Sequence, residues 1–168
     1  LISVPIIYEE IYNRTLREAQ RSQVLGPMLE WCLDLGRKHA RYIESGRNPG
    51  FLFTTQYEVA DRMLFKRVRD ALGGRLQWAI SGGAPLSSKI EEFLLGAGIT
   101  VVEGYGLSET SPALTATPPH AIRMGSVGKP LFNVEIKIQP EEGQSAPGEG
   151  EILVRGPSVM SGYHHKES

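Results

Sequence analysis

The first 72 residues of the chain repeat apolar side chains with the period of a helix. Apolar positions recur three or four residues apart over about 8–22, 28–46 and 56–72, which predicts three amphipathic helices. Gly26-Pro27 ends the first helix, and Asn48-Pro49-Gly50 forms a turn before the third. The third helix is predicted to carry one solvated basic face, formed by Arg62, Lys66, Arg67 and Arg69.

Beyond residue 75 the apolar runs become short and glycines separate them. Residues 76–80 and 99–102 are predicted strands, because each is a short apolar run and the second is rich in β-branched side chains. A predicted helix lies between them, and Ser88 and Glu91 at its start have the spacing of a capping box. A strand, a helix and a strand in this order predict a right-handed parallel βαβ unit.

Two further strands are predicted near the end of the sequence. Residues 134–138 alternate β-branched with charged side chains, and residues 151–154 are mainly apolar. A polar turn over 140–150 joins them. We expect these segments to be antiparallel strands of a small sheet or barrel.

The composition is that of an ordinary folded domain. The 168 residues are 40% apolar, and 18 basic against 19 acidic residues give a net charge of −1. These values exclude a disordered chain and give no bulk attraction to nucleic acid or anionic lipid. Cys32 is the single cysteine, which excludes an intrachain disulfide and fits a cytoplasmic location.

The candidate chemistry lies in two Gly-rich loops, 81–85 and 104–110. Both follow strands of the predicted parallel unit, and ligands bind beyond the carboxyl ends of such strands. The second loop offers the aromatic ring of Tyr105, the hydroxyl of Ser108 and the carboxylate of Glu109. A stacking surface, a hydrogen-bond donor and a ligand for a hard cation together favour a site for a nucleotide phosphate with Mg²⁺.

Other interpretations use the same residue types. Gly104-Tyr105-Gly106 resembles the start of a dinucleotide fingerprint, but Glu109 stands where the last glycine would be. Composition alone also allows both loops to be tight turns, with Glu109 as a solvated helix cap. His120 and the pair His164-His165 lack a third ligand at a metal spacing, so we expect them to be surface residues.

Several motifs in sequence order resemble the adenylate-forming, or AMP-binding, superfamily, which includes the acyl-CoA synthetases. They are SGGAPL at 81–86, GYGLSETS at 104–111, GSVGKP at 125–130 and GEILVRG at 150–156, with Gly162-Tyr163 after the last. Val4-Pro5 resembles the segment that opens the acyl pocket of that family. The helical region resembles an insertion typical of long-chain acyl-CoA synthetases.

The resemblance implies that residues 1–168 are an internal fragment of the α/β AMP-binding domain. Residues 8–75 are then mostly helical insertion, 76–118 the βαβ region of the nucleotide site, and 119–168 a β-rich part. A start at Leu1 rather than Met agrees with this expectation.

The resemblance also implies roles for individual residues. Tyr105 is expected to stack on adenine, and Ser108, where the family usually has threonine, to contact the α-phosphate. Glu109 is expected to hold Mg²⁺, which makes Ser108 and Glu109 the expected catalytic residues. The acyl substrate is expected near Tyr8, Gly104 and Gly106. The full set of expected nucleotide-binding residues is Gly83, Ala84, Pro85, Glu103, Gly104, Tyr105, Gly106, Leu107 and Ser108.

The implied parent enzyme converts a fatty acid and ATP to acyl-AMP and pyrophosphate, and then transfers the acyl group to coenzyme A. We expect the 168 residues alone to be inactive, because the family's phosphate loop, ribose-binding aspartate and catalytic lysine have no counterpart in them. One alternative is an adenylation domain for an amino acid or another carboxylate. Another is a non-catalytic module whose basic helical face docks on a partner or, peripherally, on a membrane.

Overall fold

The computed structural model describes residues 1–140, 146 and 148–166. These residues form two β-sheets, whose strands come mostly from the second half of the chain. The larger sheet has five strands in the order β1 to β5, and β1, β2 and β3 run parallel while β4 and β5 are antiparallel additions. Its strands are β1 (Ile2–Ser3), β2 (Trp78–Ser81), β3 (Thr100–Tyr105), β4 (Thr115–Ala116) and β5 (Lys129–Pro130). The second sheet pairs β6 (Glu135–Gln139) with β7 (Glu151–Arg155) in antiparallel register.

Among the described residues, five α-helices accompany the sheets. They are α1 (Pro5–Arg21), α2 (Leu29–Ser45), α3 (Phe51–Ala60), α4 (Lys66–Ala71) and α5 (Ser88–Gly96). A π turn over Asp61–Phe65 joins α3 to α4. None of the helices in the described part of the chain is long and apolar enough to cross a membrane.

The βαβ unit is confirmed. β2 and β3 are parallel neighbours with α5 between them in sequence, and Ser81 lies opposite Glu103 in the register. Apolar side chains of α5 and Val101 of β3 belong to the same buried core as the helices α1 and α2. The mixed α/β architecture with a largely parallel sheet is therefore the predicted one. The pairing of β6 with β7 is also confirmed, and the described strands do not close into a barrel.

The third predicted helix starts earlier than expected and is not a continuous α-helix. α3 begins at Phe51, after the extended residue Gly50, whose carbonyl accepts hydrogen bonds from the Thr54 amide (3.1 Å) and hydroxyl (3.2 Å). Periodicity missed this first part because Phe51 and Leu52 are exposed rather than buried. The π turn then widens the helix.

The predicted basic face on this helix is wrong for Arg69. Its guanidinium forms two hydrogen bonds of 2.7 Å with Asp61 and a third of 2.8 Å with the Ala97 carbonyl. Lys66 also has a partner, since its ammonium lies 2.6 Å from Asp70. The Arg69 contact and a hydrogen bond from the Tyr57 hydroxyl to the Gly96 carbonyl (2.7 Å) anchor α3 and α4 to the carboxyl end of α5.

Helices α2 and α5 approach each other through glycines. A Cβ added to Gly96 would lie 2.6 Å from the Gly36 carbonyl oxygen, and one added to Gly36 would lie 2.4 Å from the Phe65 ring. Phe65 is fully buried in the core beside these helices. This close approach fixes α5, and with it the loops at both of its ends, against the helical layer.

The predicted capping box is wrong. The residue before α5 is Ser87, whose side chain makes no capping hydrogen bond, while its carbonyl accepts from the Ile90 and Glu91 amides at 2.8 and 3.0 Å. The Glu91 carboxylate points instead to the segment before β5 and accepts a hydrogen bond from the Gly125 amide at 2.8 Å. Glu91 is therefore a tertiary contact and not a helix cap.

Candidate functional site

The two Gly-rich loops meet at one cavity beyond the carboxyl ends of β2 and β3. Its volume is about 260 Å³. Eight of the nine residues predicted to bind nucleotide line it, and Val127 from the segment before β5 completes the wall. The lining residues are Gly83, Ala84, Pro85, Glu103, Gly104, Tyr105, Gly106, Leu107 and Val127.

The loop after β3 is held by backbone contacts that leave no room for a side chain at Gly106. The Leu114 amide donates to the Tyr105 carbonyl at 2.8 Å, which folds the chain back toward β4. A Cβ at Gly106 would lie 1.7 Å from the Pro112 carbonyl oxygen. Glycine is required here so that the returning backbone can pass directly beside the loop.

Ser108 and Glu109 lie on a 3₁₀ turn, Ser108–Thr110, that directly follows the cavity-lining residue Leu107. Thr110 is buried, and its hydroxyl accepts from the Leu107 amide (3.0 Å) and donates to the Leu107 carbonyl (2.9 Å). Because Thr110 closes the turn internally, the side chains of Ser108 and Glu109 remain available at the surface. Neither Ser108 nor Glu109 lines the cavity itself.

Glu109 has two contacts with a distant part of the chain. The Tyr163 hydroxyl donates to its carboxylate at 2.5 Å, and the Met160 amide donates to its carbonyl at 2.8 Å. The Tyr163 hydroxyl holds the pKa of the Glu109 carboxyl below its usual range, because the hydrogen bond favours the charged form. The carboxylate of Glu109 is therefore ionised at neutral pH.

The single carboxylate of Glu109 fits an Mg²⁺ ion that also binds phosphate oxygens of a substrate. Mg²⁺ commonly keeps several waters and takes one or two carboxylates together with phosphate oxygens. Within the described residues no group of three or more Asp, Glu, His or Cys side chains could hold a metal by itself. An ionised carboxylate two residues beyond the cavity-lining Leu107 fits the first arrangement and not an all-protein cage.

Glu103 lies in the cavity wall, but its side chain is buried and not a free surface anion. Burial raises the pKa of its carboxyl, and a hydrogen bond from the Leu86 amide partly offsets that rise. Its carbonyl accepts from the Thr117 amide at 2.9 Å. Glu103 therefore connects β3 to the loop after β2 and to the chain that follows β4.

The segment that carries Val127 is held by helix carboxylates and threonine hydroxyls. Glu44 of α2 accepts from the Met124 amide at 2.9 Å, one residue before the Gly125 amide that contacts Glu91. The Thr115 hydroxyl donates to the Val127 carbonyl at 2.7 Å. These contacts bring Val127 to the cavity. Local sequence patterns did not predict the position because every partner is distant in the chain.

Glu91 should make the stability of the chain depend on pH. Burial raises the pKa of Glu91 to about 7 from 4.5, opposed by the Gly125 hydrogen bond and supported by the nearby Glu103 and Glu44. The folded chain therefore holds a proton that the unfolded chain releases between these values, so stability falls as pH rises from 4.5 to 7. We expect Glu91→Gln to remove this pH-dependent loss, which is on the order of 1–3 kcal/mol in the free energy of unfolding.

Urea unfolding at pH 5, 6, 7 and 8 measures this loss. The control is Glu58→Gln, which changes an exposed glutamate of α3 and should follow the parent profile. Parallel stability profiles for the parent chain and Glu91→Gln would contradict the prediction.

Tyr8 does not line this cavity. Its side chain is buried in the core, and its hydroxyl donates to the Ile80 carbonyl of β2 at 2.7 Å. In this position Tyr8 supports the strand that leads into the first loop. Its predicted contact with an acyl chain stays a prediction.

The profile of the AMP-binding enzyme family matches residues 3–164. The chain belongs to this family. The match begins at β1 and includes both loops of the cavity and the segment with Tyr163.

Relatives of this AMP-binding chain include named acyl-CoA ligases. It is 34% identical over 170 residues to the long-chain-fatty-acid–CoA ligase FadD15 of Mycobacterium bovis, covering 99% of this chain and 26% of the relative. It is 35% identical over 171 residues to long chain acyl-CoA synthetase 1 of Arabidopsis thaliana, covering 98% and 25%. The chain thus spans about a quarter of the length of these curated relatives.

Solved structures of ligases also match this AMP-binding chain. O-succinylbenzoate coenzyme A synthetase (MenE) of Bacillus subtilis, in complex with ATP and magnesium ion, is 32% identical, with a TM-score of 0.47 over 60% of this chain and 23% of that one. The anthranilate CoA ligase AuaEII, in complex with anthranoyl-AMP, is 29% identical, with a TM-score of 0.48 over 54% and 18%.

Proposed function

We propose that the chain is part of an ATP-dependent long-chain fatty acid–CoA ligase and carries the adenine and Mg²⁺ side of its active site. The observation that carries the proposal is the cavity between the loops after β2 and β3, with Tyr105 and Leu107 in its wall and Glu109 on the turn that directly follows Leu107. Family membership and the named acyl-CoA ligases among the relatives support the reaction type.

The proposed reaction has two steps. A fatty-acid carboxylate attacks the α-phosphorus of ATP, which forms acyl-AMP and releases pyrophosphate. The thiol of coenzyme A then attacks the acyl carbon, which forms the thioester and releases AMP. The protein's contribution to phosphoryl chemistry of this kind is largely placement of the reactants and neutralisation of charge.

Each part of the cavity has a proposed task in the first step. The backbone of residues 83–85 lines the adenine and ribose, and the Tyr105 ring stacks on the base. The Ser108 hydroxyl donates to an α-phosphate oxygen, and Glu109 holds Mg²⁺, which offsets negative charge on the phosphates. None of these residues needs to act as a nucleophile.

Replacement of Tyr105 by alanine should weaken AMP binding. Stacking of a base on an aromatic ring contributes about 1–3 kcal/mol, so we expect the dissociation constant to rise about 5- to 160-fold. Chemical-shift changes of the cavity amides during an AMP titration of the ¹⁵N-labelled chain measure the constant. Tyr42→Ala on α2 is the matched control, because Tyr42 lies outside the cavity. Equal affinities for the Tyr105→Ala and parent chains would contradict the proposed base site.

The acyl specificity needs a protein that joins this chain to the rest of a ligase. In such a protein, ATP–pyrophosphate exchange should depend on a long-chain fatty acid. Indifference to acyl length would overturn the long-chain assignment, and exchange driven by an amino acid would favour the alternative adenylation domain. We propose that the 168 residues alone form no acyl-adenylate, and turnover by them would refute this.

The alternative function, a non-catalytic docking module, is supported less well than the sequence alone suggested. The basic face predicted for it includes Arg69, but the Arg69 guanidinium already donates hydrogen bonds to Asp61 and to the Ala97 carbonyl. A cytoplasmic location and peripheral contact with a membrane stay predictions.

A further inference from the structure

Tyr163 and Met160 form a clamp on Glu109 from 54 and 51 residues along the chain. Met160 binds the backbone of Glu109 through an amide-to-carbonyl hydrogen bond of 2.8 Å. Tyr163 binds the carboxylate through its hydroxyl at 2.5 Å. One contact therefore fixes where the residue lies, and the other fixes where its side chain points.

We propose that Tyr163 is a positioning residue that orients the Glu109 carboxylate for a divalent cation. The proposal rests on the proposed function, which makes Glu109 the Mg²⁺ ligand. Tyr163 would act through Glu109 and not through contact with the cation itself.

The chemistry of the contact agrees with this role. A glutamate on a surface turn loses rotamer freedom when it binds a cation, and a hydrogen bond that already restrains the side chain reduces that loss. The Tyr163 hydroxyl occupies one lone-pair direction of one oxygen, and a carboxylate has about four such directions. The carboxylate can therefore keep this hydrogen bond while it binds a cation.

The side chain of Tyr163 lies at the surface and not in the core. Gly162, directly before the tyrosine, has a φ of +147°, a conformation that favours glycine. Tyr163 is 59% exposed, so its ring adds little to the core. Loss of the hydroxyl alone should therefore leave the fold and the Met160 contact in place.

Cation affinity tests the proposal without any measurement of activity. Mn²⁺ in the presence of AMP is titrated into the ¹⁵N-labelled chain, and paramagnetic broadening of the Ser108, Glu109 and Thr110 amides reports its binding. We expect Tyr163→Phe to weaken Mn²⁺ binding about 3- to 10-fold, and Glu109→Gln to weaken it further and leave only residual binding through the AMP phosphate. The matched control is Tyr42→Phe, which deletes a tyrosine hydroxyl on α2 and should bind Mn²⁺ like the parent.

A double-mutant cycle separates positioning from a general structural effect. If Tyr163 acts through Glu109, Tyr163→Phe has no further effect on Mn²⁺ broadening once Glu109→Gln is present. A separate effect of Tyr163→Phe in that background would overturn the proposal. So would an unchanged or tighter affinity in Tyr163→Phe alone.

The outcomes also distinguish the two proposals. If Glu109→Gln weakens Mn²⁺ binding and Tyr163→Phe does not, only the positioning role fails. If Glu109→Gln leaves binding unchanged, the Mg²⁺ role in the proposed function fails, and the positioning role fails with it.

Discussion

Gly106→Ala is expected to close the cavity and abolish detectable AMP binding. The new Cβ would lie 1.7 Å from the Pro112 oxygen, 2.7 Å from the Pro112 carbonyl carbon and 2.9 Å from the Ala113 Cα. All three atoms are backbone, and the Leu114–Tyr105 hydrogen bond holds that backbone beside the loop. Either the loop or the returning chain must move by more than 1 Å, at a cost of about 1–3 kcal/mol.

The AMP titration and urea unfolding together test this expectation. Gly82→Ala is the control, since a Cβ there would lie 3.6 Å from the Gly104 oxygen, an ordinary contact. We expect Gly82→Ala to fold and bind AMP like the parent chain. AMP affinity within twofold of the parent in Gly106→Ala would contradict the predicted collapse.

Gly96→Ala should destabilise the whole chain by about 2–3 kcal/mol. The Cβ would lie 2.6 Å from the oxygen and 2.8 Å from the carbonyl carbon of Gly36, so α2 and α5 would have to separate. Alanine favours a helix over glycine by about 1 kcal/mol at most, which does not offset overpacking between two helix backbones. The helical layer and the βαβ unit share this contact, so both should lose stability.

Urea unfolding followed by circular dichroism measures the change. Gly50→Ala is the control, because a Cβ at Gly50 meets no atom within 4 Å among the described residues. A midpoint for Gly96→Ala that equals the parent midpoint would show that the helices are not held by their backbones at this point.

The parallel unit was predictable because its determinants are local. An apolar run, a helix and a β-branched run follow each other within about 30 residues, and the handedness rule then fixes their arrangement. The residues that line the cavity were predictable as neighbours for the same reason, since eight of the nine lie within or directly before the two Gly-rich loops 81–85 and 104–110.

The third helix shows where periodicity fails. Phe65 is fully buried together with Ala60, Leu64 and Val68, although a 3.6-residue period does not place it on the same face as Ala60. A π turn takes more residues per turn than an α-helix, so it brings Phe65 to the same side as Ala60, five residues earlier. A pattern search with a fixed 3.6-residue period has no means of placing such a turn.

Long-range contacts account for the other failures. Glu91 had the spacing of a helix cap, but its partner is the Gly125 amide, 34 residues away. The contact of Tyr163 with Glu109 spans 54 residues, and no local pattern indicates it. Hydrogen bonds between distant segments form only in the completed fold. Sequence motifs therefore identified these residues but not their partners.

The single cysteine also makes the core open to chemical measurement. Cys32 lies on α2 with no exposed surface, and burial raises the pKa of its thiol. A thiol reagent needs the thiolate and access to it, so labelling must wait until the packing of α2 opens. Because Gly36 lies one helical turn further along α2, the labelling rate of Cys32 reports how often the contact between α2 and α5 is broken.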